Sequence, residues 1–158
     1  MRDVLHARPI TAEAARSVRA PVLRAGRPPE TAVLPLDDDP ATFHAGAFSD
    51  AGRLLSVATV YPEPMGEAAA FAPAGPKRTA PAFRLRGMAT LPEAQRRGAG
   101  RAVLALCRQH ARARGSALIW CNARVGALPF YQREGFVAVG DEFEIEGIGP
   151  HYVMWRPA

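Results

Sequence analysis

Ala82-Phe-Arg-Leu-Arg-Gly-Met-Ala-Thr-Leu-Pro-Glu-Ala-Gln-Arg-Arg-Gly-Ala-Gly-Arg101 is the stretch whose reading decides the fold. From Phe83 to Leu91 the side chains alternate in character, the period of a strand with two different faces, and Pro92 ends it. Glu93 to Gly100 is polar and carries two glycines. Beyond it Val103, Leu106, Cys107, His110 and Ala111 recur at helical spacing with Arg101, Arg108 and Arg112 opposite, until Gly115 stops the pattern. The stretch therefore predicts a strand, a loop of small and basic residues, and an amphipathic helix. At such a junction the N–H groups of the first helical turn have no partner within the helix and point outward. Gln95-Arg-Arg-Gly-Ala-Gly-Arg101 is thus expected to bind an anion such as phosphate. It matches neither the dinucleotide pattern G-x-G-x-x-G nor a Walker loop.

Working toward the N-terminus, Tyr61 to Pro81 is rich in Pro, Gly and Ala and predicts a flexible surface loop. Leu54 to Val60 and Thr42 to Phe48 read as strands joined by Ser49-Asp-Ala-Gly-Arg53, a hairpin connection. Residues 24–40, with Pro28, Pro29 and Asp37 to Asp39, read as a long loop to which no function is assigned. Val4 to Ile10 predicts a first strand, and Thr11 an N-cap for a helix over Ala12 to Arg19 that Pro21 limits. Toward the C-terminus, Ala117 to Cys121 predicts an apolar strand and Ala127 to Glu134 a short helix closed by Gly135. Phe136 to Glu146 and His151 to Arg156 predict a final strand pair. The order is that of an α/β or α+β chain forming one domain over residues 1–158, with no internal repeat.

The chain has 158 residues, 48% of them hydrophobic and 22% charged, with a net charge of +5. That composition excludes a disordered tail, collagen and a disulfide scaffold. Nineteen of the 20 basic residues are arginine, scattered rather than gathered in one run, and aromatics are 8%. A nucleic-acid reader would need a basic face interleaved with aromatics, so no specific nucleic-acid partner is expected. Cys107 and Cys121 lie in apolar segments and cannot build a zinc site, which predicts buried, reduced thiols and no metal. The N-terminal residues lack a signal-peptide core and no run reaches the roughly 20 apolar residues of a membrane span, so a cytoplasmic protein with no membrane partner is expected.

Leu91-Pro-Glu-Ala-Gln-Arg-Arg-Gly-Ala-Gly-Arg101 resembles the acetyl-CoA signature of the GNAT (GCN5-related) N-acetyltransferases. Asn122, Ala127-Leu-Pro-Phe-Tyr131 and Gly135-Phe136 resemble that family's second block, in the right order and at the right separation. The ending from Asp141 to Met154, with Gly149-Pro-His151, is similar to that of the ElaA-like branch. The resemblance covers residues 82–156 closely and the N-terminal half in its order of elements. It implies a mixed, mostly antiparallel sheet splayed between strands 4 and 5 and flanked by helices, with acetyl-CoA in the gap as acetyl donor. By the same resemblance, main-chain groups of Met88 and Thr90 meet the pantetheine arm as an added strand would. The N–H groups of Gln95, Arg96, Arg97, Gly98, Ala99, Gly100 and Arg101 hold the pyrophosphate. The side chains of Arg96, Arg97 and Arg101 either add charge toward the phosphates or are simply solvated. Asn122 contacts the pantetheine or the acceptor, or else caps the turn that follows it. Tyr131 touches the donor and protonates the departing CoA thiolate, or else packs the short helix as Phe130 does.

The implied activity is direct transfer of an acetyl group, through a ternary complex, to a primary amine on a small molecule or peptide. An amine with pKa near ~10 must lose a proton before it attacks. Candidates for that step are His151, near the start of the last strand, and Glu144, which alternates with Glu142 and Glu146 onto one strand face. A structural histidine and a solvated acidic face are the alternatives. Cys121 is expected to be inert. The rival from another class is an acyl-CoA-binding regulatory module with weak turnover. Exposed C-terminal strands leave a homodimer open.

Overall fold

Thr11 begins the first helix as its side chain requires. Its Oγ1 accepts the Ala14 amide at 3.1 Å, satisfying one of the donors that a helix start leaves orphaned. The computed structural model describes residues 5–71 and 79–158. Its elements are β1 (His6–Pro9), α1 (Ala12–Leu23), β2 (Phe43–Phe48), β3 (Leu54–Pro62), β4 (Ala82–Thr90), α2 (Ala99–Ala113), β5 (Leu118–Arg124), α3 (Leu128–Arg133), β6 (Val137–Ile145) and β7 (Gly149–Pro157). The strands form one seven-stranded mixed sheet in the order β1-β2-β3-β4-β5-β7-β6. β1–β2, β2–β3, β5–β7 and β6–β7 are antiparallel, whereas β4 and β5 run parallel. The α/β class expected from the sequence is the one observed. No helix among the described residues is long and apolar enough to cross a membrane.

The chain packs as two units. The first takes in residues up to Tyr61 together with Leu85–His110. In it Ala15 and Val18 of α1 bury against Val57 of β3 and Ala89 of β4, flanked by Ile10, Val22, Leu23, Leu54 and Leu91. The second takes in Pro62–Arg84 and Ala111–Ala158. Its core joins Met65, Ala69, Ala82, Leu118, Trp120 and Val139, with Ala68, Ala80, Val153 and Trp155 against it.

Three expectations are corrected. α1 does not stop before Pro21 but runs to Leu23, with the Arg24 amide bonded to the Ala20 carbonyl. A proline this late removes a single bond of the last turn, and the apolar contacts of Val22 and Leu23 favour continuing. The segment 61–81 is not a surface loop throughout. Tyr61 and Pro62 end β3, a 3-10 turn spans Gly66–Phe71, and Met65 and Ala69 are buried core residues. Its residues 72–78, like Val4 of the expected first strand, lie outside the described residues. Asn122 does not follow the fifth strand, expected to end at Cys121, but lies inside β5, opposite Val153 of β7.

The loop of residues 24–40 contains a 3-10 turn, Pro29–Ala32, and closes on a buried ion pair absent from the sequence reading. Arg19, 2% exposed, donates from Nη1 to Asp37 Oδ2 and to the Ala32 carbonyl, both at 2.8 Å, and from Nη2 to Thr59 Oγ1 at 2.9 Å. His44 extends the network, with Nε2 3.0 Å from the Asp37 carbonyl and Nδ1 2.7 Å from Thr59 Oγ1. A carbonyl only accepts, so Nε2 carries a proton.

Candidate active site

Two hydrogen bonds along β4 cannot both belong to a regular strand. The Glu63 amide bonds the Ala82 carbonyl, and the Leu91 amide bonds the Leu55 carbonyl, so residues 82 and 91 both face β3. Strand residues alternate sides, which requires an even separation; these are an odd number apart, so β4 holds one extra residue. Gly87, at φ +62°, is where it sits, in a backbone conformation that side-chain-bearing residues rarely adopt. The bulge reverses the alternation, so that the main-chain groups of Met88 and Thr90 point to the edge away from β3. On that edge the ladder to β5 comprises three pairs, Ala82–Leu118, Phe83–Ile119 and Arg84–Trp120. Thr90 is itself anchored: Ser56 Oγ donates to the Ala89 carbonyl at 3.1 Å, so the Thr90 hydroxyl is the donor in its 2.7 Å contact with Ser56.

After β4 comes a short turn over Pro92–Ala94, then the basic loop. Arg96 has φ +64° and is the only non-glycine residue with positive φ among the described residues, and Gly98 follows at φ +88°. Left-handed backbone at a side-chain-bearing residue costs roughly 1–2 kcal/mol. The first helical bond of α2 runs from the Ala102 amide to the Gly98 carbonyl at 3.0 Å, so the Ala99 and Gly100 amides precede it. The first turn of α2 carries no acidic residue to occupy those donors, and Gln95, Arg96, Arg97 and Arg101 are exposed beside them. Residues of this kind fit a diphosphate: oriented amides, the positive end of a helix and basic side chains. Gln95 Nε2 reaches the Thr90 carbonyl at 3.5 Å.

In the second unit β5 and α3 bring Cys121 and Tyr131 together, while Asn122, the next residue of β5, faces the other side of the sheet. Tyr131 is 6% exposed and lies edge-on to Phe130 and to Phe136, with centroids at 5.2 and 5.3 Å. α3 opens with Pro129 in its first turn, where the missing N–H costs nothing, and without a side-chain cap at Ala127. The Tyr131 phenol hydrogen-bonds the thiol of Cys121. Burial pushes that thiol up to about 12, against smaller opposing effects of Arg84 and of the phenol. It stays protonated and inert, and burial pushes Cys107 up as well. Asn122 is half-buried.

His151 and Glu144 lie toward one end of the β6–β7 hairpin but on opposite faces, since Phe143 pairs with His151 and Glu144 with Pro150. Their surroundings differ. His151 is buried, donates from Nδ1 to the Gly149 carbonyl at 2.7 Å and lies beside the Phe143 ring. Glu144 is exposed with Glu142 and Glu146, while Phe143 and Ile145 are half-buried between them. The three carboxylates thus lie open to solvent.

A family model for an acetyltransferase (GNAT) domain matches residues 60–154. YitI of Bacillus subtilis (strain 168), described as an uncharacterized N-acetyltransferase, is 32% identical over 154 residues, which span 97% of this chain and 96% of YitI. Among solved structures, an acyl-CoA N-acyltransferase from Pseudomonas aeruginosa superposes with TM-score 0.69 at 20% identity, covering 97% of this chain and 99% of that one. ElaA of Escherichia coli superposes with TM-score 0.64 at 14% identity, covering 97% and 99%. These two share the fold. With the family model and YitI agreeing over most of the sequence, the chain belongs to the GNAT family of N-acetyltransferases and is an acyltransferase.

Proposed function

We propose that residues 1–158 form a single N-acetyltransferase domain that moves the acetyl group of acetyl-CoA directly to a primary amine of a small molecule or peptide. The observation that carries this reading is the left-handed backbone at Arg96 and Gly98 ahead of the exposed start of α2. Strain of that kind persists where a function uses the conformation. The amides from Arg96 to Arg101 hold the pyrophosphate, with Arg96, Arg97 and Arg101 adding charge; the Gln95 amide, expected among them, is taken by the Pro92 carbonyl at 3.3 Å. Met88 and Thr90 hydrogen-bond the pantetheine through main-chain groups that the Gly87 bulge turns outward, and Asn122 supports the pantetheine or the acceptor. When bound, acetyl-CoA supplies the activated thioester. The chain's part is to bind, orient and move protons. Tyr131 protonates the departing thiolate through the one polar atom of an otherwise apolar enclosure. His151, its Nδ1 fixed by Gly149 and its Nε2 without a hydrogen bond among the described residues, takes the proton from the amine. Glu144 and its neighbours draw the cationic acceptor toward the hairpin.

Calorimetric titration of the purified protein with acetyl-CoA and CoA tests the reading. Micromolar binding to the wild type is expected, and its loss in Gly98→Pro, whose ring fixes φ near −65° where the loop needs a positive angle. Failure of the wild type to bind either ligand would overturn it.

A further inference from the structure

Gly87 is pinned from one side. A Cβ on it would lie 2.6 Å from Arg19 Nε and 3.2 Å from Arg19 Cζ, so the guanidinium occupies the space that any larger residue at 87 would need. That guanidinium is nearly sealed from solvent, and its Nε–H makes no hydrogen bond. A charge taken out of water is an expensive way to fill space, since hydrophobic residues of similar volume commonly replace buried ion pairs without loss of stability. An unpaired buried donor adds to the expense. Arg19 supplies what an apolar side chain cannot: a flat, rigid fork fixed at three points. It is held by the Ala32 carbonyl, Asp37 and Thr59 while its Nε edge lies against a strand backbone.

We propose that Arg19 is a positioning residue for the donor strand, its guanidinium tying the 29–37 segment to Gly87 and holding the bulge that turns Met88 and Thr90 outward. The proposal rests on reading that edge of β4 as the pantetheine contact. It makes the loop to which the sequence assigned no function a support of donor binding. Order in the 29–37 segment and the competence of β4 are then linked through one side chain.

The test compares Arg19→Met, Arg19→Lys and Val18→Ala, the last removing apolar packing of α1 beside Ala89 without touching the guanidinium. Two readouts are taken: amide hydrogen exchange of residues 86–90 in the ligand-free protein, and CoA binding by calorimetry. Arg19→Met is expected to speed exchange at 86–90 and to weaken CoA binding, each by tenfold or more. Arg19→Lys, which keeps the charge toward Asp37, is expected to recover part of both. Val18→Ala is expected to leave both within twofold once exchange is corrected for its global stability. Exchange at 86–90 within twofold of wild type in Arg19→Met, or an equal response in Val18→Ala, overturns the proposal. If Arg19→Met does not fold, Arg19→Lys decides, and its exchange at 86–90 must exceed that of Val18→Ala. Fast exchange in the Arg19 variants with no CoA binding by wild type would sink the donor reading while leaving the brace intact.

Discussion

Tyr131 is enclosed by apolar rings, so removing its oxygen changes chemistry more than packing. Tyr131→Phe keeps the edge contacts with Phe130 and Phe136 and removes the phenol oxygen that bonds Cys121. If the phenol is the acid, kcat should fall by about 100-fold or more while CoA binds within twofold of wild type, the split that marks an interaction made in the transition state. A kcat unchanged in Tyr131→Phe, measured by thiol release with a competent amine, would remove Tyr131 from the chemistry. Cys121 does not take its place, because a thiol pushed up to about 12 is protonated throughout the working range. The sequence indicated Tyr131 through its motif, and burial of Cys121 through the apolar run around it. It gave no sign of the bond between them, which depends on how α3 lies on β5.

At the scale of elements, legibility followed period and caps. β4, α2 and the start of α1 announce themselves by alternation, by helical spacing and by Thr11. The bulge in β4 does not, since an extra residue shows only in the hydrogen bonds to β3, and Gly87 by itself reads as a weak point in a strand. Arg19 is no more than the last residue of a predicted helix until the 24–40 loop closes over it. That closure has a pH signature. Burial works against ionisation of Asp37, but hydrogen bonds from Arg19 and the Leu34 amide, the Arg19 charge and a further bond from Arg16 outweigh it and hold the carboxyl below its ordinary value. A value lowered in the folded state gives stability that is present above the unfolded value of about 3.9 and lost as pH falls through the folded value. Asp37→Asn should therefore cost about 3–5 kcal/mol at neutral pH, because Arg19 is left as an uncompensated buried charge. It should also flatten the acid limb of the stability curve. Denaturant melts of wild type and variant between pH 3 and pH 7 check both, and parallel curves would show that Asp37 is not ionised against Arg19.

For the whole molecule the question is whether two packed units make one folding domain. Each has its own apolar core, yet two elements are shared between them. β4 gives Ala82–Arg84 to one unit and Leu85–Thr90 to the other, and α2 divides between His110 and Ala111. A helix is cooperative along its length, and a break inside it leaves a full set of unpaired amides and carbonyls at each new end. Unfolding either unit alone would therefore fray α2 and strip β4 of part of its ladder, raising the free energy of any half-folded state. The expected outcome is one heat-absorption peak whose calorimetric and van't Hoff enthalpies agree, with far-ultraviolet and tryptophan signals lost together. The tryptophans make the comparison sharp, because Trp120 and Trp155 both belong to the second unit and report it alone. A tryptophan transition displaced from the loss of helix would mean that the units fold separately, and the single domain proposed for residues 1–158 would have to be divided.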